Sequence, residues 1–329
     1  MNSKTIIFLL SLASISFNCA STKQPAAVRK TFYTQGRFLH SPDGERVILR
    51  GVNKMNVITD KTGTKSFPEI ARTGANVVRI MWMRMGGYGS ELDIILGNCI
   101  KNKLIPMIEL HDATGKWHML DSLVDFWLRD DVVQVIRKYE KYLLLNIGNE
   151  VGDGKITQEE FANKYASILK KMRSAGIRVP LIIDAANWGR NEEYLLKNGK
   201  FLQEQDPEHN VLFSWHVWDS GAPESRIKES IDQSVALEIP LIIGEFAPME
   251  VKCKCCIPYH FIIKYCQQQQ IGWLAWSWGP GNGDCPAMDM TKSGTFESLH
   301  DWGLEVSVTN EYSIKNTSVL PAFWKNNSF

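Results

Sequence analysis

The segment Tyr-Leu-Leu-Leu-Asn-Ile-Gly-Asn-Glu, residues 142–150, is an apolar run that ends in an amide and a carboxyl side chain. Its apolar residues are largely continuous rather than alternating, which is typical of a parallel strand covered by helices on both faces. Seven more runs of this kind occur at residues 47–53, 75–81, 104–111, 180–187, 211–218, 240–246 and 272–278. Amphipathic or capped stretches of helical length separate most of them. Together these units predict an α/β fold, a (β/α)8 TIM barrel.

Two local motifs support this architecture. Residues 37–40 and 45–49 flank the turn sequence Ser-Pro-Asp-Gly at 41–44, which predicts an N-terminal β-hairpin that closes the barrel floor. Thr157 and Glu160 have the spacing of a capping box, and Gly176 is a stop signal. We therefore expect a helix that opens at this box and runs to Ala175.

Composition restricts the classes of ligand. Lysine and arginine total 37 against 36 aspartates and glutamates, so there is no global positive field to hold nucleic acid or an anionic membrane. The chain contains 11 tryptophans, and sugar rings stack their C–H faces on aromatic rings. These tryptophans favour a neutral carbohydrate ligand, although packing in the core is the alternative for each one singly.

The N-terminus predicts export. An apolar run from Ile6 to Ile15 has the length of a signal peptide and is too short to span a bilayer. Cys19 then resembles the acylated cysteine of a bacterial lipobox, although Asn18 stands where a small residue is usual; signal cleavage without lipid is the alternative. We predict a signal peptide over 1–18, a lipoprotein-like tether over 19–32 and one folded domain over 33–329, located at the bacterial cell envelope or surface, or secreted.

Polar or aromatic side chains stand at the downstream end of every run. They are Asn53, Arg79, His111 with Asp112, Asn149 with Glu150, Asn187 with Trp188, His216 with Trp218, Glu245, and Trp276 with Trp278. In α/β barrels the C-terminal strand ends open onto the active site, so these groups are expected to face one cup. Glu150 and Glu245 end strands four and seven, on opposite sides of the barrel. Two carboxyls that flank a substrate are what hydrolysis of a glycosidic bond requires.

Six segments resemble glycoside hydrolase family 5, in the clan of retaining barrel enzymes. They are residues 50–53, 74–80, 109–115, 146–150, 244–246 and 272–278, and the resemblance spans residues from about 33 to 305. It implies that Glu150 is the general acid/base and Glu245 the nucleophile. A retaining pair should be separated by roughly 5 to 5.5 Å, and an inverting pair by roughly 6.5 to 9.5 Å.

The resemblance also implies roles around the two carboxyls. Asn149 would bind the sugar 2-hydroxyl, Arg79 would keep Glu245 ionised, and Trp276 would floor the subsite on the nonreducing side of the cut. His111 and His216 would orient the site, while Trp188 and Trp278 are further candidates for substrate contact. The alternatives are that Arg79 forms a structural ion pair and that the histidines are core groups. No cofactor or metal is implied, and we predict a monomer that binds a polysaccharide.

Two positions depart from the family pattern. The sixth strand usually carries His-x-Tyr, whose hydroxyl bonds the nucleophile, whereas this chain has His216-Val217-Trp218. An indole N–H donates a hydrogen bond but cannot accept one, so either Trp218 donates with a different geometry or another group does. After the first strand, residues 53–57 lack the aromatic and histidine residues that many relatives carry. Contacts away from the cleaved bond are therefore left open.

Five cysteines crowd into one stretch near the seventh strand. They are Cys253, Cys255, Cys256, Cys266 and Cys285. In an exported protein such a group is usually oxidised, so we predict disulfides that tie loops together. A zinc site is the alternative, although the Cys-x-Cys-Cys spacing differs from the usual pairs of zinc ligands. Cys99 is expected to be a buried apolar residue.

The substrate and the class of activity leave alternatives. Segments 111–115, 184–189 and 299–303 most resemble bacterial endo-β-1,4-mannanases, so the resemblance favours an endo-β-1,4-mannanase over an endo-β-1,4-glucanase, or cellulase. A surface lipoprotein that only binds carbohydrate is an alternative of another class. A metal-dependent hydrolase would need His111, Asp112 and His216 to converge on an ion, yet the paired His-x-His ligands of metal barrels do not occur in this sequence.

Overall fold

The eight apolar runs form eight parallel strands that close into a barrel. The computed structural model describes Met1 and residues 29–324, so the predicted signal peptide and Cys19 lie outside the described residues. The barrel strands are Arg50–Lys54, Val77–Trp82, Ile105–Leu110, Leu144–Asn146, Leu181–Asp184, Val211–His216, Leu241–Glu245 and Gly272–Ala275. Each strand pairs with the next along the chain, and the eighth pairs with the first. The predicted TIM barrel is confirmed.

Helices surround the barrel and connect its strands. Their bounds are Asn56–Thr59, Ser66–Ala71, Gly89–Lys101, Leu120–Trp127, Asp130–Lys138, Gln158–Ser174, Glu193–Gln205, Glu224–Ala236, Tyr259–Gln269, Asp301–Leu304 and Ile314–Thr317. The predicted capping box is present at Thr157, whose side chain accepts from the Glu160 backbone, and Gly176 follows the helix with φ +83°. Within the described residues, no helix combines the length and the apolar character that crossing a membrane requires.

The barrel floor is closed by a small antiparallel sheet of three strands, Tyr33–Gln35, Phe38–His40 and Arg46–Val47. The last two are the predicted hairpin, and Gly44 at its turn has φ +87°, a left-handed conformation that suits glycine. The first strand was not predicted. Leu39 and Val47 of this sheet pack against the aliphatic side chains that fill the lower barrel.

Alternation along the strands separates the barrel interior into two layers. Residues i and i+2 of a strand point to the same side. Four residues of the apolar floor cluster are Val77, Met107, Leu144 and Ile182. Two positions further along each of these strands stand the buried polar residues Arg79, Glu109, Asn146 and Asp184. The lower layer of the barrel interior is thus packed with aliphatic side chains, and the layer above it consists of charged and amide side chains.

Cysteines at the barrel mouth form two disulfides. Cys253 pairs with Cys285, which ties the loop after the seventh strand to the loop after the eighth, and Cys255 pairs with Cys256. The prediction for Cys266 was wrong, because it lies on the helix Tyr259–Gln269 and is buried and free. The zinc alternative is wrong as well, since the four cysteines of this cluster at the mouth are oxidised. Cys99 is buried and free, as expected.

Candidate active site

The two glutamates meet at the mouth of the barrel. Glu245 is the last residue of the seventh strand, and Glu150 lies four residues beyond the end of the fourth strand rather than at its end. One carboxylate oxygen of each, together with a ring nitrogen of His216, lie within 4.8 Å of one another. This closeness agrees with the narrow separation expected of a retaining pair.

Both oxygens of Glu245 accept hydrogen bonds. Arg79 donates from Nη1 to Oε1 at 2.6 Å, and Trp218 donates from Nε1 to Oε2 at 3.1 Å. Of the two alternatives for the sixth strand, the first is found: Trp218 itself donates to the Glu245 carboxylate. Burial raises the pKa of Glu245, and the positive charges of His216 and Arg79 oppose that rise by favouring the ionised form.

Arg79 is the central cation of the site and is 1% exposed. Besides Glu245, it donates to Asn53, Asn146 and Asn149 at 2.7 to 3.1 Å, and Asp184 lies 3.4 Å away. Burial disfavours its charge, but the surrounding carboxylates outweigh that cost and raise its pKa. Arg79 therefore stays charged and links the first, fourth, fifth and seventh strands around the nucleophile position.

His216 joins the two carboxyls. Its Nδ1 lies 2.8 Å from Oε1 of Glu150 and 3.4 Å from Oε2 of Glu245. Burial disfavours the imidazolium, but the charges of Glu245, Asp184 and Glu150 outweigh it and raise the pKa of His216 to about 9. In its protonated form the ring donates from Nδ1 to Glu150.

His111 forms the opposite part of the site. Its Nδ1 lies 2.9 Å from Oε1 of Glu109, and its ring stacks on Trp276 with centroids 6.0 Å apart. Burial lowers the affinity of His111 for a proton, yet the charges of Glu109 and Glu245 raise its pKa overall. Glu109 fixes the orientation of the His111 ring, and this ring in turn stacks on Trp276.

A cavity of about 620 Å³ opens above these groups. The predicted site residues that line it are His111, Asn149, Glu150, Trp188, Trp218, Glu245 and Trp276. Arg79 and His216 lie beneath it. Trp278 does not contact the cavity: its side chain is fully buried and its indole donates to the Gly294 carbonyl at 3.0 Å, so it packs the loop behind the wall.

Trp188 is the exposed aromatic residue of the cavity, with 42% of its surface accessible. It lies in a run of three left-handed residues, Asn187 to Gly189, with φ of +56°, +55° and +72°. A Cβ on Gly115 would lie 2.2 Å from the indole nitrogen of Trp188, so only glycine fits there. The backbone therefore presents this ring at the rim of the cavity at some conformational cost.

Sequence reasoning missed four buried polar residues of the site: Asn53 as a ligand of Arg79, and Glu109, Asn146 and Asp184 in full. Asn53 was named at the end of its run without this role, whereas Glu109, Asn146 and Asp184 lie within their apolar runs rather than at the downstream ends. The signal that identifies them is the two-residue step from an aliphatic floor position to a polar residue in the same strand. A carboxylate within a buried strand is uncommon without a charged partner, and here that partner is Arg79.

The donor set does not favour a metal centre. Among the described residues, the His, Cys, Asp and Glu side chains whose ligand atoms converge are Glu150, His216 and Glu245. Asp112, named in the metal alternative, instead accepts from the Arg84 backbone at 2.9 Å. Both oxygens of Glu245 already accept from Arg79 and Trp218, and a cation would face a guanidinium 2.6 Å from the carboxylate.

Comparison with known proteins points to one family. Residues 41–282 match the family model described as cellulase (glycosyl hydrolase family 5). The chain is 29% identical over 280 residues to a mannan endo-1,4-beta-mannosidase of Salipaludibacillus agaradhaerens, covering 83% of this chain and 89% of that protein. It is also 29% identical over 299 residues to a mannan endo-1,4-beta-mannosidase of Cellvibrio japonicus, covering 87% of this chain and 68% of that one.

A solved structure gives the same result for the fold. The mannohexaose complex of the Thermomonospora fusca β-mannanase superposes with a TM-score of 0.83 at 26% sequence identity. The match covers 90% of this chain and 99% of that chain. The likeness therefore extends over most of this chain and nearly all of that one.

Proposed function

This chain belongs to glycosyl hydrolase family 5, and we propose that it is an endo-acting, retaining hydrolase of β-1,4-linked mannan. The observation that carries the proposal is the approach of the Glu150 and Glu245 carboxylates to within 4.8 Å at the base of the cavity. The choice of mannan is supported by the relatives, which are named as mannan endo-1,4-beta-mannosidases, and by the β-mannanase with bound mannohexaose. A cellulase has less support.

In the first step the glycosidic bond is exchanged for a bond to the enzyme. A carboxylate oxygen of Glu245 attacks the anomeric carbon and forms a glycosyl ester, while the bond from that carbon to the leaving oxygen breaks. Glu150 gives its proton to the leaving oxygen, so the departing chain ends in a hydroxyl. Arg79 and Trp218 hold Glu245 in place for this attack through their hydrogen bonds.

In the second step water reverses the exchange. Glu150, now a carboxylate, takes a proton from a water molecule, whose oxygen attacks the anomeric carbon. The ester bond to Glu245 breaks and the electron pair returns to its carboxylate. Two inversions at one carbon leave the product with the configuration of the substrate, which is why the close carboxyl pair supports retention.

Substrate recognition is assigned to the side chains that line the cavity. Trp276 forms the floor of the subsite on the nonreducing side of the cleaved bond. Its indole N–H donates to Oδ1 of Asn282 at 2.8 Å, which fixes the ring. Asn149 binds the 2-hydroxyl, and its own amide is oriented by Arg79 and Thr114. Trp188 offers an exposed ring at the rim, on which a further sugar can stack.

A panel of pure polysaccharides tests this function. Reducing ends are measured after incubation with β-mannan, glucomannan, cellulose and mixed-linkage glucan, and an early fall in viscosity identifies endo-cleavage. We expect release from mannan and glucomannan, unchanged by a metal chelator. Glu245→Ala should abolish release, whereas Glu229→Gln, on an exposed helix face, should leave it unchanged. Release from cellulose alone would make the chain a glucanase, and no release from any β-glycan would refute the enzyme.

We also propose that the enzyme is an exported lipoprotein anchored through Cys19. The support is the apolar run from Ile6 to Ile15, which ends shortly before this cysteine. The protein should incorporate labelled palmitate and sediment with membranes, and Cys19→Ala should lose both properties. We also expect a monomer, and light scattering measures the mass.

A further inference from the structure

Asp184 is a buried carboxylate that neither lines the cavity nor has a role in the two steps above. It ends the fifth barrel strand and is 1% exposed. Its Oδ2 accepts the backbone N–H of Glu150 at 3.0 Å, and its Oδ1 accepts from the Asn146 amide at 3.1 Å. A buried carboxylate is thus hydrogen-bonded directly to the backbone of the acid/base residue.

The backbone of Glu150 needs a restraint. Glu150 has φ +48°, a left-handed conformation that is unfavourable for a residue with a side chain. Two hydrogen bonds hold it: its N–H donates to Asp184, and its carbonyl accepts from the Gly115 N–H at 2.9 Å. The bond to Asp184 is charge-assisted and therefore the stronger kind.

The carboxyl end of Glu150 is coupled to Asp184 through His216. Nδ1 of His216 lies 2.8 Å from the Glu150 carboxylate, and Nε2 of the same ring lies 3.7 Å from Oδ2 of Asp184. That Nε2 is buried and has no hydrogen-bond partner among the described residues, so the nearby negative charge is what favours its proton. Asp184 thus acts on Glu150 from two sides.

We propose that Asp184 is a positioning residue for proton transfer by Glu150, which it holds at the backbone directly and at the carboxyl through His216. This inference rests on the proposed function. The alternative is a structural ion pair with Arg79, whose Nη2 lies 3.4 Å from Asp184. The two differ in their effect on the first step: positioning the acid affects only the protonation of the leaving oxygen, whereas support of Arg79 affects the nucleophile and hence every substrate.

Leaving groups of different basicity separate these roles. A 2,4-dinitrophenolate departs without protonation, whereas a phenolate or a sugar alkoxide depends on the acid. The test measures kcat/KM, which reports the first step, for 2,4-dinitrophenyl and phenyl β-mannobiosides with the wild type, Asp184→Asn and Asp184→Ala. Asparagine keeps the shape and one acceptor for the Glu150 N–H but lacks the charge; alanine removes both contacts.

We expect kcat/KM for the phenyl substrate to fall about 30-fold in Asp184→Asn and about 100-fold in Asp184→Ala, with the dinitrophenyl substrate within about threefold of wild type. Asp206→Asn is the matched control, since Asp206 is equally buried and bonded to Arg173 but lies at the floor end. It should lower the melting temperature without changing the ratio of the two substrates.

Equal losses on both substrates in folded Asp184→Asn would overturn the inference and leave the proposed function intact. An unchanged phenyl rate would do the same. A wild-type protein that cleaves neither substrate, nor any β-mannan, would overturn the function and the inference together. Circular dichroism and the melting temperature establish that each variant is folded, and the asparagine variant serves if the alanine variant is not.

Discussion

Two buried arginines at opposite ends of the barrel differ in how their charge is matched. At the floor end, Arg173 uses all five N–H donors, two on Asp206 and three on backbone carbonyls. At the mouth, Arg79 is shared among several amides and lies near the carboxylates of Glu109, Asp184 and Glu245. The floor ion pair is closed and neutral, whereas the mouth holds more carboxylates than one arginine can neutralise.

The difference shows what each end of the barrel is built for. A closed ion pair with every donor satisfied stabilises one structure. An excess of carboxylates is unfavourable for folding, but it supplies one carboxylate that attacks as the nucleophile and another that transfers protons to and from the substrate oxygens. Additional positive charge comes from His216, whose pKa this excess raises to about 9, and the same excess raises the pKa of His111. Substitutions at the mouth should therefore cost activity, and substitutions at the floor should cost stability.

The largest effect is expected at the nucleophile position. Glu245→Ala should lower kcat/KM on β-mannan by on the order of 10⁴-fold or more, because the covalent step is lost. The melting temperature should stay close to that of the wild type, since Arg79 keeps Glu109 and Asp184 as partners. Initial rates and thermal unfolding measure both. A variant that unfolds instead of losing turnover would place Glu245 among structural groups.

A substitution in the Arg173–Asp206 ion pair at the floor should lower stability and leave activity unchanged. Arg173→Met should lower the free energy of unfolding by about 3 to 5 kcal/mol, because it leaves the Asp206 carboxylate buried without a partner. The folded fraction should keep the wild-type kcat. Denaturant titration gives the first quantity, and steady-state kinetics below the unfolding temperature gives the second. A large fall in kcat without loss of stability would contradict the division between the two ends.

Trp218 allows a finer test at the mouth. Trp218→Phe removes the N–H that donates to Glu245, which disfavours the ionised carboxylate and so raises its pKa. We expect kcat/KM to fall about tenfold and its acid limb to move to higher pH. Trp218→Tyr, which restores a donor, is the comparison variant. An acid limb at the wild-type position in Trp218→Phe would show that the indole does not hold the carboxylate.

The smallest effect concerns stability against pH. The pKa of His216 is about 9 in the folded chain against about 6.5 when unfolded, so its contribution is complete below about pH 6.5 and is lost as the pH rises through 9. The stability difference between the wild type and His216→Asn should therefore shrink over that window. Denaturant titrations at several pH values measure it, and parallel curves for the two proteins would rule out a charged His216.

The sequence predicted the barrel well because its signals are local. Continuous apolar runs, the capping box at Thr157 and the turn at Gly44 each depend on neighbouring residues, and each is found in the structure. The strand ends were predicted less well. Glu150 was assigned to a strand end, whereas it lies in a left-handed turn whose geometry depends on Asp184 from another strand.

The site was predicted in part for the same reason. Both glutamates, Arg79 and the two histidines were named correctly as groups at one end of the barrel, and they do meet there. The contacts that hold them come from non-neighbouring strands, so no local pattern contains them. The disulfide partner of Cys253 could likewise not be derived from spacing, since Cys285 is 32 residues away and Cys266 lies closer along the chain.

The most direct test of the paired carboxyls is to trap the covalent intermediate. In Glu150→Ala, a 2,4-dinitrophenyl β-mannobioside still reacts with the nucleophile, but the intermediate persists because no base activates water. Intact mass followed by peptide mapping then locates the sugar. We predict one mannobiosyl unit per chain, attached to Glu245, and none in the double variant with Glu245→Ala. A label on another residue, or turnover to the α-anomer without any label, would contradict the retaining pair.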